Sequence, residues 1–222
     1  MSDYPLLERL RQMPLFADAA EESLAAMARH AVLRRFTPGE TIYMEGDPSA
    51  GLWIMVSGRV KIYKLSADGA EYVLRIFGPG DTFNDLAALD GAPNAAGAST
   101  ITSVSAWVIP SEDFAAALAA DHALALAVIQ GLVGRQRRLI AQVEDLALRP
   151  VTARLARFLL TQVGDPALSH PAVTRALIAT HLATTSESIS RSLRSLERAG
   201  AIRFDRHRIL IVKPDILREL AQ

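Results

Sequence analysis

Apolar positions along the chain change their spacing several times, and each change predicts a different element. Between residues 4 and 31 they recur at helical intervals. Leu6, Leu7, Leu10 and Met13 precede Pro14, and Leu24, Met27 and Ala28 follow the acidic Asp18, Glu21 and Glu22. From 32 to 109 the period shortens. Leu52-Trp53-Ile54-Met55-Val56, Val60-Lys61-Ile62-Tyr63 and Tyr72-Val73-Leu74-Arg75-Ile76-Phe77 are short β-branched or aromatic runs separated by turns, the signature of strands. Gly46, Gly58, Gly69, Gly80 and Gly91 recur about once per strand and turn. Such spacing predicts an antiparallel barrel or roll whose corners need positive φ.

Helical spacing then returns. Ser111 after Pro110 is a predicted N-cap, with Glu112 and Asp113 favouring the first turn. Residues 121–147 contain no proline, and Leu124, Val128, Leu132, Leu139, Val143 and Leu146 recur at intervals of three, four or seven. This predicts one long amphipathic helix, interrupted in its pattern only by Gly131, Gly134 and the cations Arg135, Arg137 and Arg138. A roll cannot cover a helix of about 25 residues along its whole length. The six apolar residues therefore point to a partner helix and a symmetric homodimer, the alternative being a packing helix in a monomer.

Leu148-Arg149-Pro150 breaks the helix, because proline disfavours α geometry in the residue before it. Domain boundaries are accordingly expected at 1–120, 121–148 and 149–222. The last segment opens with a helix over 151–162 and a loop containing Gly164, Pro166 and Pro171. A helix over 174–182, a turn at Ala183-Thr184-Thr185 and a second helix over 186–196 form a helix–turn–helix pattern. Gly200 and a hairpin around Asp205-Arg206-His207-Arg208 follow as a wing. In the second helix Ile189, Leu193 and Leu196 face inward, which leaves Glu187, Ser190 and Arg191 outward near its N-terminus. An arginine can pair with guanine O6 and N7, and a glutamate can accept from a cytosine amino group. Ser190 can serve a base or a phosphate. Arg175, Ser186, Ser188, Arg194, Arg206 and Arg208 are placed to meet the DNA backbone, positioning without specifying.

Charge sharpens this picture. The 222 residues are formally neutral, yet residues 1–148 carry 12 Lys+Arg against 18 Asp+Glu, and residues 149–222 carry 12 against 6. A basic end on a neutral chain suits a polyanion-binding module. Cysteine is absent, which excludes disulfides, thiol chemistry and a Cys-ligated iron–sulfur cluster. The uncharged apolar runs 114–120 and 123–129 are far shorter than a membrane span, and the first residues lack the pattern of a secretory signal, so a cytoplasmic protein is expected.

With these elements in place, nearly the whole chain resembles the CRP/FNR superfamily of bacterial transcription regulators. The resemblance is carried by the glycine-punctuated segments Pro38-Gly39-Glu40, Ser57-Gly58 and Phe77-Gly78-Pro79-Gly80-Asp81-Thr82-Phe83, the long helix and the winged helix–turn–helix. It implies an α+β fold: a cyclic-nucleotide-binding-type antiparallel β-roll, a dimerisation helix and a C-terminal winged helix–turn–helix. Implied partners are double-stranded promoter DNA, a second copy of the chain and RNA polymerase, with no membrane. Glu187-Ser188-Ile189-Ser190-Arg191 looks like the Glu-x-x-Ser-Arg signature of the FNR branch, which implies inverted repeats of TTGAT-like half-sites.

The family's cyclic-AMP binders hold ribose with a Gly-Glu pair and phosphate with an Arg-Ser pair. Here the corresponding positions read Asn84-Asp85, followed by Leu86, and Ala95-Ala96. Burying a cyclic phosphate without a cation is unfavourable by several kcal/mol, so these five residues form an effector pocket to which cyclic AMP is poorly suited. Val60-Lys61-Ile62-Tyr63 with Asp68-Gly69, and the Asp90-x-x-Pro93-Asn94 segment, resemble the nitric-oxide-responsive DNR/NnrR-type branch. That resemblance implies non-covalent haem as a cofactor, with His122 and His30 as candidate axial ligands. His170, His181 and His207 lie in the DNA-binding half. Another effector, or none, is the alternative. No nucleophile elbow, phosphate-cradling loop or His-Glu-x-x-His pair is present, so an enzyme is not expected. A cyclic-nucleotide-type module acting on a protein partner would account for the roll but not for the basic winged helix.

Overall fold

A computed structural model describes residues 4–161, 174–205 and 209–221. They divide into two compact units, one of residues 1–64 and 74–137, the other of residues 65–73 and 138–222. The division falls inside the long helix.

In the first unit, α1 (Tyr4–Gln12), a 3-10 turn at Pro14–Phe16 and α2 (Glu21–Arg29) precede the strands. These are β1 (Val32–Phe36), β2 (Thr41–Tyr43), β3 (Leu52–Ser57), β4 (Val60–Leu65), β5 (Glu71–Phe77), β6 (Thr82–Phe83), β7 (Gly97–Thr100) and β8 (Val104–Ile109), of which Leu65 and the first three residues of β5 fall in the second unit. They form two four-stranded sheets, ordered β1-β8-β3-β6 and β2-β7-β4-β5. The β-roll expected from the strand pattern is thus present, with β3 antiparallel to β8 through Trp53↔Val108 and Ile54↔Trp107.

Alternation along β3 explains how it is buried on both faces. Trp53 and Met55 join Phe77, Phe83, Val60 and Ala98 between the sheets. Leu52 and Ile54 point the other way, into a core with Leu6, Leu10, Phe16, Met27, Phe114 and Leu124. Phe83 centres the inner cluster, its ring centroid 5.7 Å from both Trp53 and Phe77. Gly46, Gly58, Gly69, Gly80 and Gly91 all take the positive φ expected of corners. At Gly58 a side chain is also excluded by contact, since a Cβ would stand 2.0 Å from the Ser103 carbonyl oxygen.

A short helix absent from the strand pattern, α3 (Asp85–Asp90), follows β6. Asn84 precedes it with φ +64°, and its Nδ2 donates to Ser49 Oγ and the Gly51 carbonyl, both at 3.2 Å. α4 (Ser111–Ala120) begins one residue earlier than a Ser111 N-cap requires: Pro110, extended, takes the cap position and Ser111 is the first helical residue. α5 (His122–Leu148) follows Asp121, whose carboxylate accepts the N–H groups of Leu124 at 3.0 Å and Ala20 at 2.7 Å. Those bonds, led by the one from Leu124, hold the Asp121 carboxyl below its ordinary value.

α5 corrects part of the expected dimer seam. Leu124 and Val128 are 0% and 6% exposed in the core of their own unit, and Leu132 packs partly against that core. Their i, i+4 spacing is the stripe the roll covers. Leu139, Val143 and Leu146 remain exposed, and the same helix exposes Leu126, Ile129, Val133 and Ile140.

The second unit contains α6 (Val151–Thr161), α7 (Arg175–His181), α8 (Ser186–Arg198), the hairpin β9 (Ile202–Phe204) and β10 (Ile209–Ile211), and α9 (Pro214–Glu219). Leu155, Leu159, Ile178, Leu182, Ile189, Leu193, Ile202 and Leu217 share one core. Pro150 separates α5 from α6, and the junction is braced by charge. Asp145 lies 2.9 Å from Arg149 Nε and 3.0 Å from Arg157 Nε, while Arg149 Nη1 donates to the Ala221 carbonyl at 3.3 Å.

Candidate nucleic-acid interface

Two threonine caps set the helix–turn–helix. Thr174 Oγ1 accepts from Leu177 N at the start of α7, and Thr185 Oγ1 accepts from Ser188 N at the start of α8, each at 3.2 Å. Between them the chain turns at Ala183, φ +48°, with Thr184 N donating to the Ala179 carbonyl at 2.9 Å. No glycine marks this turn, so its left-handed residue is invisible to a search for glycines.

α8 has one buried face. Ile189, Leu193 and Leu196 are fully buried, and Ser192 beside them accepts a hydrogen bond from Thr152 at 3.0 Å. The other face carries the expected base-reading residues. Glu187 and Arg191, one turn apart, have side chains 79% and 69% exposed and approach to 4.0 Å. An ion pair this exposed contributes at most about 1 kcal/mol, so Arg191 can exchange Glu187 for a base edge at little expense. Arg191 Nη2 also reaches Ser188 Oγ at 3.3 Å. Ser190 donates to the Ser186 carbonyl at 2.9 Å, which leaves its hydroxyl oxygen as an acceptor.

The expected backbone-contacting residues divide. Ser186 and Arg194 are exposed on α8, while the half-buried Ser188 belongs to the cap cluster. Arg175 is engaged within its own unit: its guanidinium lies 5.2 Å from the Phe204 ring centre and its Nη2 donates to the Asp205 carbonyl at 3.1 Å. Arg206 and Arg208 lie outside the described residues, as do His170 and His207.

In the roll, the expected effector residues are internally satisfied or exposed. Asp85 pairs with Arg135 of α5, whose Nη2 also donates to Thr82 Oγ1 at 2.8 Å. In the sequence Arg135 is only one of the cations that interrupt the long helix's apolar pattern, because a partner 50 positions away leaves no local signal. Burial, and then the Asp85 carboxylate, push the Tyr43 phenol up. Leu86 is 58% exposed, Ala95 is exposed and Ala96 is buried. Asn84 and the 94–97 strand approach share one anchor, the 46–51 loop. Gly46 N donates to the Asn94 carbonyl, and Asn94 N to the Asp47 carbonyl, both at 2.9 Å. The one cation in this set, Arg135, is already neutralised, so a cyclic phosphate would meet no free positive charge from these residues.

The candidate haem ligands do not fit a buried prosthetic group. His30 is 62% exposed with Nδ1 held 3.1 Å from the Asp113 carboxylate, and His122 is exposed at the first position of α5.

Comparison with known proteins matches the two parts of the chain to two known domain families. A family described as "Cyclic nucleotide-binding domain" matches residues 33–121, and one described as "Crp-like helix-turn-helix domain" matches residues 153–220. The chain is 31% identical over 176 residues to the transcriptional regulator LdrP of Thermus thermophilus, covering 77% of this chain and 87% of that protein. It is 29% identical over 211 residues to a CRP-like cAMP-activated global transcriptional regulator of Mycobacterium tuberculosis, covering 92% and 94%. Among solved structures it is similar to FixK2 of Bradyrhizobium japonicum, with 25% identity, a TM-score of 0.78 and coverage of 86% and 98%.

Proposed function

Because the chain belongs to the CRP/FNR family of DNA-binding transcription regulators, we propose that it acts as a homodimer that reads an inverted repeat of TTGAT-like half-sites with α8. The observation that carries the reading is the exposed pair Glu187 and Arg191 on the first turns of a helix whose opposite face is fully buried. Half-sites about 34 Å apart, one helical turn, match a two-fold dimer. The apolar residues that α5 leaves exposed, Ile129, Val133, Ile140 and Val143, supply the partner surface. RNA polymerase is the partner through which such a dimer would act on a promoter.

The roll is best suited to working without a cyclic nucleotide, since Arg135 occupies Asp85 and neither Ala95 nor Ala96 offers a phosphate donor beyond backbone. Nitric oxide acting through haem draws no support from the placement of His30 and His122.

Titration of labelled duplexes tests the proposal. Wild-type protein should prefer the TTGAT inverted repeat to a scrambled duplex in the absence of added ligand. Arg191→Ala should lose about 1–3 kcal/mol on the repeat and relax selection at one guanine. Equal losses on both duplexes would remove α8 as the reading element.

A further inference from the structure

Arg175 was expected to meet a phosphate, yet its side chain is directed at its own chain. The flat guanidinium lies over Phe204 with its centre 5.2 Å from the ring centroid, and its Nη2 donates to the carbonyl of Asp205 at 3.1 Å. Both contacts fall on consecutive residues at the end of β9. The same strand end is held from α8, where Glu197 Oε1 accepts the Phe204 N–H at 3.4 Å. The hairpin is therefore gripped from both helices of the helix–turn–helix, by Arg175 of α7 and by Glu197 of α8. Arg175 is itself steadied, since it is the first residue of a helix whose Thr174 cap is formed.

We propose that Arg175 is a positioning residue that clamps the turn end of β9, in the β9–β10 hairpin, to α7, and that it supports DNA binding through that hairpin rather than by a phosphate contact. The chemistry distinguishes the two roles. A phosphate contact needs a positive charge at the end of a long side chain, which lysine also provides. The clamp needs a planar face to stack on Phe204 and a directed N–H for a carbonyl, which the compact ammonium of lysine cannot supply together.

The inference rests on the DNA-binding reading, so the test uses one readout with DNA and one without. Arg175→Lys, Arg175→Ala, Phe204→Leu and the Arg175→Lys/Phe204→Leu double variant are compared in the full chain. Phe204→Leu keeps an apolar side chain at the edge of the core and removes only the ring. In the free protein, amide exchange is followed at the paired positions Phe204↔Ile209, Arg203↔Leu210 and Ile202↔Ile211. Exchange there should accelerate in Arg175→Lys and in Phe204→Leu, while the amides of α8 stay protected. On the inverted repeat, both single variants and Arg175→Ala should each weaken binding about five- to tenfold. The double variant should lose no more than either single one. An Arg175→Lys variant that binds like wild type overturns the proposal, as do additive losses in the double variant or unchanged hairpin exchange. A direct phosphate contact would instead show as a fall of about 0.9 in the slope of log affinity against log salt for Arg175→Ala, with Arg175→Lys preserved. If wild-type protein bound no duplex at all, the functional reading would fail while hairpin exchange still reported on the clamp.

Discussion

Gly51 and Gly91 both take positive φ, at +129° and +68°, yet they constrain the chain differently. A Cβ on Gly91 would meet nothing within 4 Å, so Gly91→Ala carries only the backbone penalty of about 1 kcal/mol. A Cβ on Gly51 would stand 1.9 Å from the Ile109 carbonyl oxygen, where neighbouring backbone must move. Gly51→Ala should cost about 4 kcal/mol or more, or prevent folding, as read by denaturant unfolding. Gly51 escaped the regular glycine spacing of the sequence because its role is a close approach between β3 and β8. At His181 the prediction concerns pH. Its ring packs against Phe158, and Nδ1–H donates to the Val73 carbonyl at 3.0 Å within the same unit. Burial pulls its pKa below the ordinary 6.5, outweighing the bond to Val73, so the fold favours the neutral ring. The unfolded chain takes up the proton first, and stability is present above about pH 6.5 and lost as pH falls below it. The melting temperature should drop on acidification below that value, and His181→Gln should flatten the dependence.

At the scale of elements, what could be read from sequence is what local chemistry encodes. The threonines at 174 and 185 sit where caps belong, and α7 and α8 fall within two residues of the expected bounds. The long helix, expected over 121–147, runs from His122 to Leu148. Which of its apolar residues face the roll was not legible, because the rows through Leu124 and through Ile129 share helical spacing. Nor was α3, a helix of six residues whose Asp85 is fixed by Arg135 from a distant part of the chain. Element capping yields its own prediction. Thr185→Ala removes the oxygen that accepts from Ser188 N and should cost about 1 kcal/mol in unfolding free energy. DNA affinity should fall with it, since the capped turn carries Glu187 and lies beside Arg191.

For the whole molecule, α5 carries two apolar stripes. Leu124 and Val128 serve the core, and Leu126, Ile129, Val133, Ile140 and Val143 are exposed, on average about 140° away around the helix. Ile140 is 60% exposed and belongs to no intrachain core, so Ile140→Glu should leave the melting of the roll unchanged while converting the proposed dimer into monomers, as read by sedimentation. Binding to an inverted repeat should weaken in parallel, with single half-sites little affected. A monomeric wild-type protein would instead assign the exposed row to another partner. The two stripes also make α5 a keeper of phase. One residue inserted after Arg137 would turn everything beyond it by about 100°, swinging Ile140 and Val143 out of line with Ile129 and Val133. Seven residues would return the row to within about 20° of its bearing and only lengthen the rod by about 10 Å. Length along this helix is therefore quantised in function though not in folding: insertions of one and of seven should both yield a continuous helix, and only the longer should preserve the proposed dimer.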